Sequence, residues 1–190
     1  MNYRQALNEV FSLLKDEDVA VFSTGIISRE AFSLRDRPAN FYMLGSMGMA
    51  VSFSLGIALS LPRQKVVVVD GDGAAFMNLG GLAMAGYSRA KNIVHIVLDN
   101  GVYASTGAQR CISSSLDLCA FARASGYARA KTVKNPSSLR VLLRNVAFSS
   151  GPQFFRVMID AAQQELPGRV NIAPVQIAER LENILKKRAR

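Results

Sequence analysis

Asp72 and Asn100 are the side chains of this 190-residue chain best placed to do chemistry, because each stands where an apolar run breaks. Asp72 belongs to Asp70-Gly71-Asp72-Gly73, directly after Lys65-Val66-Val67-Val68-Val69. Asn100 belongs to Asp99-Asn100-Gly101-Val102-Tyr103, directly after Ile93-Val94-His95-Ile96-Val97-Leu98. Unbroken β-branched runs of this kind make strands buried on both faces, as in parallel sheets. The apolar, small-residue segment from Ala74 to Ala90 reads as a helix joining them. Such a unit presents both side chains at the carboxyl edge of an open α/β sheet, where ligands bind. The glycines around Asp72 let backbone amides approach an anion, and a helix N-terminus suits phosphate. A carboxylate among phosphates repels them unless a cation intervenes. Mg²⁺ is commonly held by one or two carboxylates together with phosphate oxygens and water. Asn100, 28 positions on, adds a neutral hard oxygen from the neighbouring strand end. The pattern reads as a Mg²⁺–diphosphate clamp.

Other local readings compete. Gly71-Asp72-Gly73-Ala74-Ala75-Phe76 half-matches a dinucleotide fingerprint, but Phe76 occupies the third glycine position. Asp70-x-Asp72 begins like a calcium loop, yet Ala74, Ala75 and Gly81 stand where an oxygen ligand, the turn glycine and the bidentate glutamate belong. Taken alone, Gly-Asp-Gly fits a plain βαβ turn with a solvated aspartate at least as well.

The two motifs together resemble the thiamine diphosphate signature of the 2-oxoacid decarboxylase and acetolactate synthase families. Most members carry Asn-Asn where this chain has Asp99-Asn100; the second asparagine, the metal ligand, is retained. The resemblance implies that Asp72 and Asn100 bind Mg²⁺ through their side chains and Val102 through its carbonyl. Gly71, Gly73 and Ala74 would face the diphosphate, with Ala74 lacking the serine hydroxyl of many relatives, and Tyr103 would adjoin it. Upstream, Gly45-Ser46-Met47-Gly48 resembles the family's pyrimidine-binding turn. There Gly45 accepts from the cofactor's amino group through its carbonyl, Met47 donates through its amide, and the Met47 side chain wedges between the rings. Thr24 and Gly25, after the first strand, are further diphosphate contacts by the same resemblance. Ser28-Arg29-Glu30, the run Asn40 to Gly48 and Ser105-Thr106-Gly107-Ala108-Gln109 narrow the resemblance to sulfopyruvate and phosphonopyruvate decarboxylases.

The elements that must carry these residues follow from periodicity. Helices are expected over Tyr3 to Leu14, Ile26 to Leu34, from the Gly45 turn through Leu59, from Leu116 to Ser125, from Pro136 to Phe148 and from Pro174 towards Lys187. Strands are expected at Val19 to Phe22, Phe41 to Met43, Ala128 to Val133 and Gln153 to Ile159, besides the two above. The fold class is α/β, three layers α/β/α around a mostly parallel sheet, with residues 1–190 forming a single diphosphate-binding domain. Glycines Gly80 and Gly81 inside a helix each cost about 1 kcal/mol relative to alanine, which close packing should offset. His95, the only histidine, sits mid-strand as a hydrogen-bonded core residue.

Nearly half the residues are apolar (49%), ample for a core, and no apolar run is long enough to span a bilayer. Without a signal-peptide layout, a cytoplasmic location is expected. Cys111 and Cys119 are too few and too far apart for a disulfide scaffold or a C-x-x-C site. Of the residues behind the charge of +9, four lie in the C-terminal Lys186-Lys187-Arg188-Ala189-Arg190 and three, Arg29, Arg35 and Arg37, in one early loop-rich stretch, without a nucleic-acid recognition motif. A positive field for anionic ligands, or simply a solvated basic surface, accounts for it.

In the resembled family a glutamate of a second, pyrimidine-binding domain activates the cofactor. Glu9, Glu17 and Glu30 do not sit in such a motif. No catalytic residue is therefore assigned to this chain. The expectation is a β-type subunit of a decarboxylase, completed by an α-type pyrimidine-binding subunit and acting on an anionic 2-oxoacid. Sulfopyruvate is the first choice and phosphonopyruvate the second. In isolation a homodimer is expected. Alternatives are a 2-oxoacid oxidoreductase or acetolactate synthase-like subunit, and a non-catalytic cofactor-binding assembly subunit.

Overall fold

Four consecutive valines, Val66 to Val69, are wholly buried, and their side chains alternate between two separate apolar layers. Period-two alternation sends Val67 and Val69 to one face of a sheet and Val66 and Val68 to the other. A strand apolar on both faces needs helices above and below it, which dictates a three-layer arrangement. The computed structural model describes residues 1–146, 151–161 and 166–189.

The strands are β1 (Val19–Phe22), β2 (Asn40–Tyr42), β3 (Val66–Gly71), β4 (Ile93–Asp99), the short β5 (Val102–Tyr103) and β6 (Gln109–Arg110), β7 (Arg129–Val133) and β8 (Gln153–Met158). The helices are α1 (Tyr3–Leu13), α2 (Ile26–Leu34), α3 (Ala50–Ser60), α4 (Asp72–Met77), α5 (Leu79–Tyr87), α6 (Leu118–Ala124), α7 (Pro136–Arg144) and α8 (Pro174–Ala189). Six strands form one parallel sheet in the order β2-β1-β3-β4-β8-β7. Leu7, Val10, Ala31, Leu139 and Leu143 bring α1, α2 and α7 onto one face. Val51, Leu55, Leu82, Ala85 and Ala122 bring α3, α5 and α6 onto the other. After β1 the chain moves outward to β2, whereas after β3 it moves the opposite way to β4. The loops leaving β1 and β3 therefore diverge, and a crevice opens between them at the carboxyl edge.

Local chemistry sets the elements that reach this crevice. Asn2 caps α1 by accepting from the Gln5 amide at 2.9 Å, while the Gln5 side chain accepts from the Asn2 amide at 3.0 Å. That capping box fixes the start of α1, and with it Tyr3. At the opposite edge, the Asn92 amide donates to the carbonyls of Ala58, Leu61 and Gln64, tying the end of α3 to the start of β4.

The single helix expected over Ala74 to Ala90 is two helices. Asn78 breaks it with a non-helical backbone (φ −139°, ψ 61°), its side-chain oxygen capping the Gly81 amide at 2.8 Å. Its side-chain nitrogen donates to Gly48 O at 2.9 Å and Ser52 Oγ at 3.1 Å, so the break is bonded to α3. Asparagine competes for backbone groups in this way and favours caps over helix interiors. Gly81 does serve close packing, because an added Cβ would lie 2.5 Å from Ser52 Oγ. The preceding helix, α3, begins at Ala50 instead of the Gly45 turn, since Ser46 (φ 53°) and Gly48 (φ 90°) are left-handed. The expected end of α7 at Phe148 lies outside the described residues.

The early arginines are not a free basic patch. Arg37 is buried, donating to Asn40 Oδ1 at 2.9 Å and to the carbonyls of Lys15, Asp16 and Asp18. Arg35 pairs with Asp16 at 2.9 Å, and Arg29 donates to the Pro167 carbonyl. His95 is buried, its Nδ1 lying 3.2 Å from the Tyr127 hydroxyl. No helix among the described residues is long and apolar enough to cross a membrane.

Gly86 lets α5 meet the end of α6: an added Cβ would stand 2.4 Å from the Ser125 carbonyl oxygen. Alanine in a helix interior is ordinarily favoured by up to about 1 kcal/mol. Here the clash is with backbone, and overpacking costs about 1–3 kcal/mol. A Gly86→Ala variant should thus be destabilised by about 1–2 kcal/mol in urea unfolding; an unchanged or raised midpoint would show that α6 can retreat.

Candidate functional site at the carboxyl edge

Asp72 opens α4 directly after β3, and Asn100 follows β4, the strand beside it; both line the same cleft at the crevice. Thr24 after β1, Gly71, Gly73, Ala74, Met47, Val102 and Tyr103 line it too, together with Tyr3 and Ser105. Its enclosed volume is about 50 Å³. Sites that enclose a small ligand run to about 300–1,000 Å³, so the described residues supply one wall of a ligand site.

Asp72 is 3% exposed, and its Oδ2 accepts from the Ser113 hydroxyl at 2.9 Å and the Gly101 amide at 3.2 Å. Asp99 is 1% exposed; its Oδ1 accepts from the same two donors, each at 3.0 Å. Its Oδ2 pairs with Arg156 Nε at 2.6 Å, and Arg156 Nη2 donates to the Ser113 carbonyl at 2.8 Å. Burial first, and then the charge of Asp99, push the Asp72 carboxyl above its ordinary range, against hydrogen bonds from Ser113, Cys111 and the Gly73 amide. A divalent cation acts in the opposite sense, favouring the ionised carboxylate.

Asn100 Oδ1 accepts from the Val102 amide at 3.1 Å, and its Nδ2 meets the Tyr3 hydroxyl at 2.9 Å. The capping box of α1 thus orients an amide 97 residues away. Burial, reinforced by Asp72, raises the Tyr3 phenol and keeps it protonated. The polar stretch after Asn100 is a small hairpin of β5 and β6, with Val102 opposite Arg110 and Tyr103 opposite Gln109. Gln109 Oε1 binds Thr106 Oγ1 at 2.8 Å and the Gly107 amide at 3.0 Å, closing its tip. The Tyr103 ring lies over Gly73, where an added Cβ would come within 2.4 Å of it.

Three expected site residues, Gly25, Gly45 and Ser46, are not among those lining the cleft. Gly45 and Ser46 are carried onto the exposed rim by the left-handed turn at Ser46, beside Leu44, Pro174 and Ile177. Met47 alone of that turn faces the cleft. Gly25 (φ 86°) precedes α2, and a Cβ there would lie 3.6 Å from the Ser105 side chain across the cleft. Sequence reasoning did not find Tyr3, Ser113, Cys111 or Arg156. The departure from Asn-Asn at Asp99 was the one visible signal that a cation must sit nearby.

The donors suit a hard cation. Among the described residues no three His, Cys, Asp or Glu side chains form a metal cluster. Asp72 and Asn100 bring one carboxylate and one side-chain amide oxygen to the cleft, donors of the kind a hard cation such as Mg²⁺ takes. The backbone amides of the first turn of α4 are donors of the kind an anion takes.

An open parallel sheet with its ligand cleft at the switch point places the chain in the class of α/β domains that bind phosphorylated ligands through loop and helix-entry amides. Residues 24–157 match the model of the thiamine pyrophosphate enzyme, C-terminal TPP binding domain. A phosphonopyruvate decarboxylase of Streptomyces viridochromogenes is 41% identical over 175 residues, 92% of this chain and 44% of that protein. Sulfopyruvate decarboxylase subunit beta of Methanothermobacter thermautotrophicus is 36% identical over 183 residues, 96% of this chain and 93% of that one. The chain thus spans under half of the first protein and nearly all of the second. In fold it is similar to benzoylformate decarboxylase of Polynucleobacter necessarius (TM-score 0.70, 18% identity, 85% of this chain and 33% of that one). The chain belongs to the thiamine pyrophosphate enzymes, carrying their TPP-binding domain.

Gly73→Ala should push the Tyr103 ring off the cleft wall. Calorimetry should show thiamine diphosphate binding weakened by about tenfold or more, since small misplacements at a site are costly. The urea midpoint should barely move, because the displaced atoms are the free edge of one side chain.

Proposed function

We propose that this chain is the β-type subunit of a thiamine diphosphate- and Mg²⁺-dependent 2-oxoacid decarboxylase, converting sulfopyruvate to sulfoacetaldehyde and CO₂. The observation that carries the reading is the meeting of Asp72 and Asn100 on one cleft wall. The near full-length match to a sulfopyruvate decarboxylase subunit beta supports the subunit and the substrate.

Asp72, Asn100 and the Val102 carbonyl would hold Mg²⁺, with amides at Gly71, Gly73 and Ala74 and the Thr24–Gly25 turn facing the diphosphate. Met47 would pack against the cofactor rings, with Gly45 and Ser46 on the rim beside them. Thiamine diphosphate, when bound, supplies the electron sink for loss of CO₂ from a 2-oxoacid. The chain's own part is to bind, orient and exclude water: the Tyr103 ring covers Gly73, and the hairpin tip leans over Gly25.

An α-type pyrimidine-domain subunit would close the cleft and bring the activating glutamate. A surface of matching character supports it. Helices α3 and α5 contain no charged residue, yet Phe53 and Gly56 on the first and Gly80, Ala83, Met84 and Tyr87 on the second are exposed. Tyr87 is 79% exposed. A contiguous apolar face of this kind marks a contact with another chain, and in isolation it would pair two copies of this one. The reaction would be cytoplasmic.

Phosphonopyruvate is the second reading, favoured by the 41% identity to the Streptomyces enzyme. The oxidoreductase alternative lacks support from the thiols: Cys111 lies against Asp72, and Cys119 meets Thr132 at 3.3 Å. Steady-state rates of the reconstituted pair on sulfopyruvate, phosphonopyruvate and pyruvate should favour sulfopyruvate; equal rates on pyruvate would reject both assignments. In calorimetry with thiamine diphosphate, Asp72→Ala should lose the Mg²⁺-dependent part of binding. Absence of any cofactor binding by the wild-type pair would favour a non-catalytic assembly role.

A further inference from the structure

Asp99 lies outside the proposed metal clamp, yet it is a buried carboxylate sharing two donors with Asp72. We propose that Ser113, steered by the Asp99–Arg156 ion pair, is a positioning residue that aims the Asp72 carboxylate at the divalent cation. The inference rests on Asp72 being a metal ligand.

A serine hydroxyl has one proton to donate. Ser113 Oγ stands between two carboxylate oxygens, 2.9 Å from Asp72 and 3.0 Å from Asp99, and can serve only one at a time. Ser113 is buried, 2% exposed. Arg156 resolves the competition. Its Nε takes Asp99 Oδ2 at 2.6 Å and neutralises that carboxylate, while the Gly101 amide reaches Asp99 Oδ1 at 3.0 Å, so Asp99 has partners on both oxygens without the Ser113 proton, which is left for Asp72. Its Nη2 grips the Ser113 carbonyl at 2.8 Å, so the same guanidinium fixes the main chain that carries the hydroxyl. From the other side, the Cys111 amide donates to the Gly101 carbonyl at 2.8 Å and ties the strand leading into this turn to the Asn100 loop. One fork therefore holds a carboxylate and a backbone oxygen together, a geometry that lysine's point charge cannot reproduce. Arg156 also removes one of two neighbouring buried negative charges, leaving Asp72 as the carboxylate without a cation of its own. Partners that orient a metal ligand in this way typically govern about 10–100-fold in metal affinity.

The test uses the full chain with its partner subunit and saturating thiamine diphosphate, titrated with Mn²⁺, the free ion being counted by electron paramagnetic resonance. Ser113→Ala keeps every charge and should weaken Mn²⁺ binding about tenfold; Ser113→Thr, which keeps the hydroxyl, should restore most of it. Arg156→Lys keeps the charge but not the fork and should weaken binding in the same direction. At saturating Mn²⁺ the turnover of Ser113→Ala should return to near wild type, a split that general misfolding would not give. Wild-type affinity in Ser113→Ala and Arg156→Lys overturns the positioning role alone. If Ser113→Ala does not fold, unchanged affinity in Arg156→Lys overturns it. Failure of the wild-type protein to bind Mn²⁺ overturns the Asp72 reading and this inference with it.

Discussion

Two carboxylates buried side by side repel each other, and the carboxyl edge of this sheet tolerates the pair because donors and one cation surround it. Ser113 and the Gly101 amide reach both Asp72 and Asp99, and Arg156 neutralises the second. Asp72, Asp99 and Arg156 sit on α4, the end of β4 and the middle of β8, so the three charges meet only when β4 sits between β3 and β8. An unpaired charge left at this depth would cost several kcal/mol. The electrostatics of the cleft and the order of the strands are thus one constraint.

The other constraint is burial on both faces. Strands such as β3 and β4 carry apolar side chains up and down, so helices must cover both sides and connections must cross over. Polar groups are then confined to strand ends and loops. That is why the chain's chemistry gathers where β1, β3 and β4 end, on a wall that also receives Tyr3 from the capped start of α1. The wall encloses little by itself.

Much of this was legible in order along the chain. The valine run, the Ile93–Leu98 run and the intervening small-residue segment announce a parallel βαβ unit through periodicity alone, and Gly-Asp-Gly with Asp-Asn-Gly marks its ligand edge. The helix over Ile26–Leu34 and the strand over Val19–Phe22 coincide with expectation to the residue. The break at Asn78 was hidden because its partners, Gly48 O and Ser52 Oγ, lie on another helix. The hairpin after Val102 was hidden because two-residue strands carry no periodicity. The three early arginines suggested a charged field, whereas Arg37 is consumed by backbone carbonyls that only folding brings to it.

What the sequence determined by itself is the class of fold, the sheet edge where the cleft opens and two of the oxygen-bearing side chains, Asp72 and Asn100, that line it. These follow from hydrophobic period and from residue types at strand ends, both of which act over a few residues. Tertiary structure alone decided the surroundings of those donors: Tyr3 on Asn100, Ser113 between the carboxylates, Arg156 on Asp99, and the placing of Gly45 and Ser46 on the rim. Those contacts join residues tens of positions apart, and hydrogen-bond geometry of that kind leaves no periodic trace in the chain.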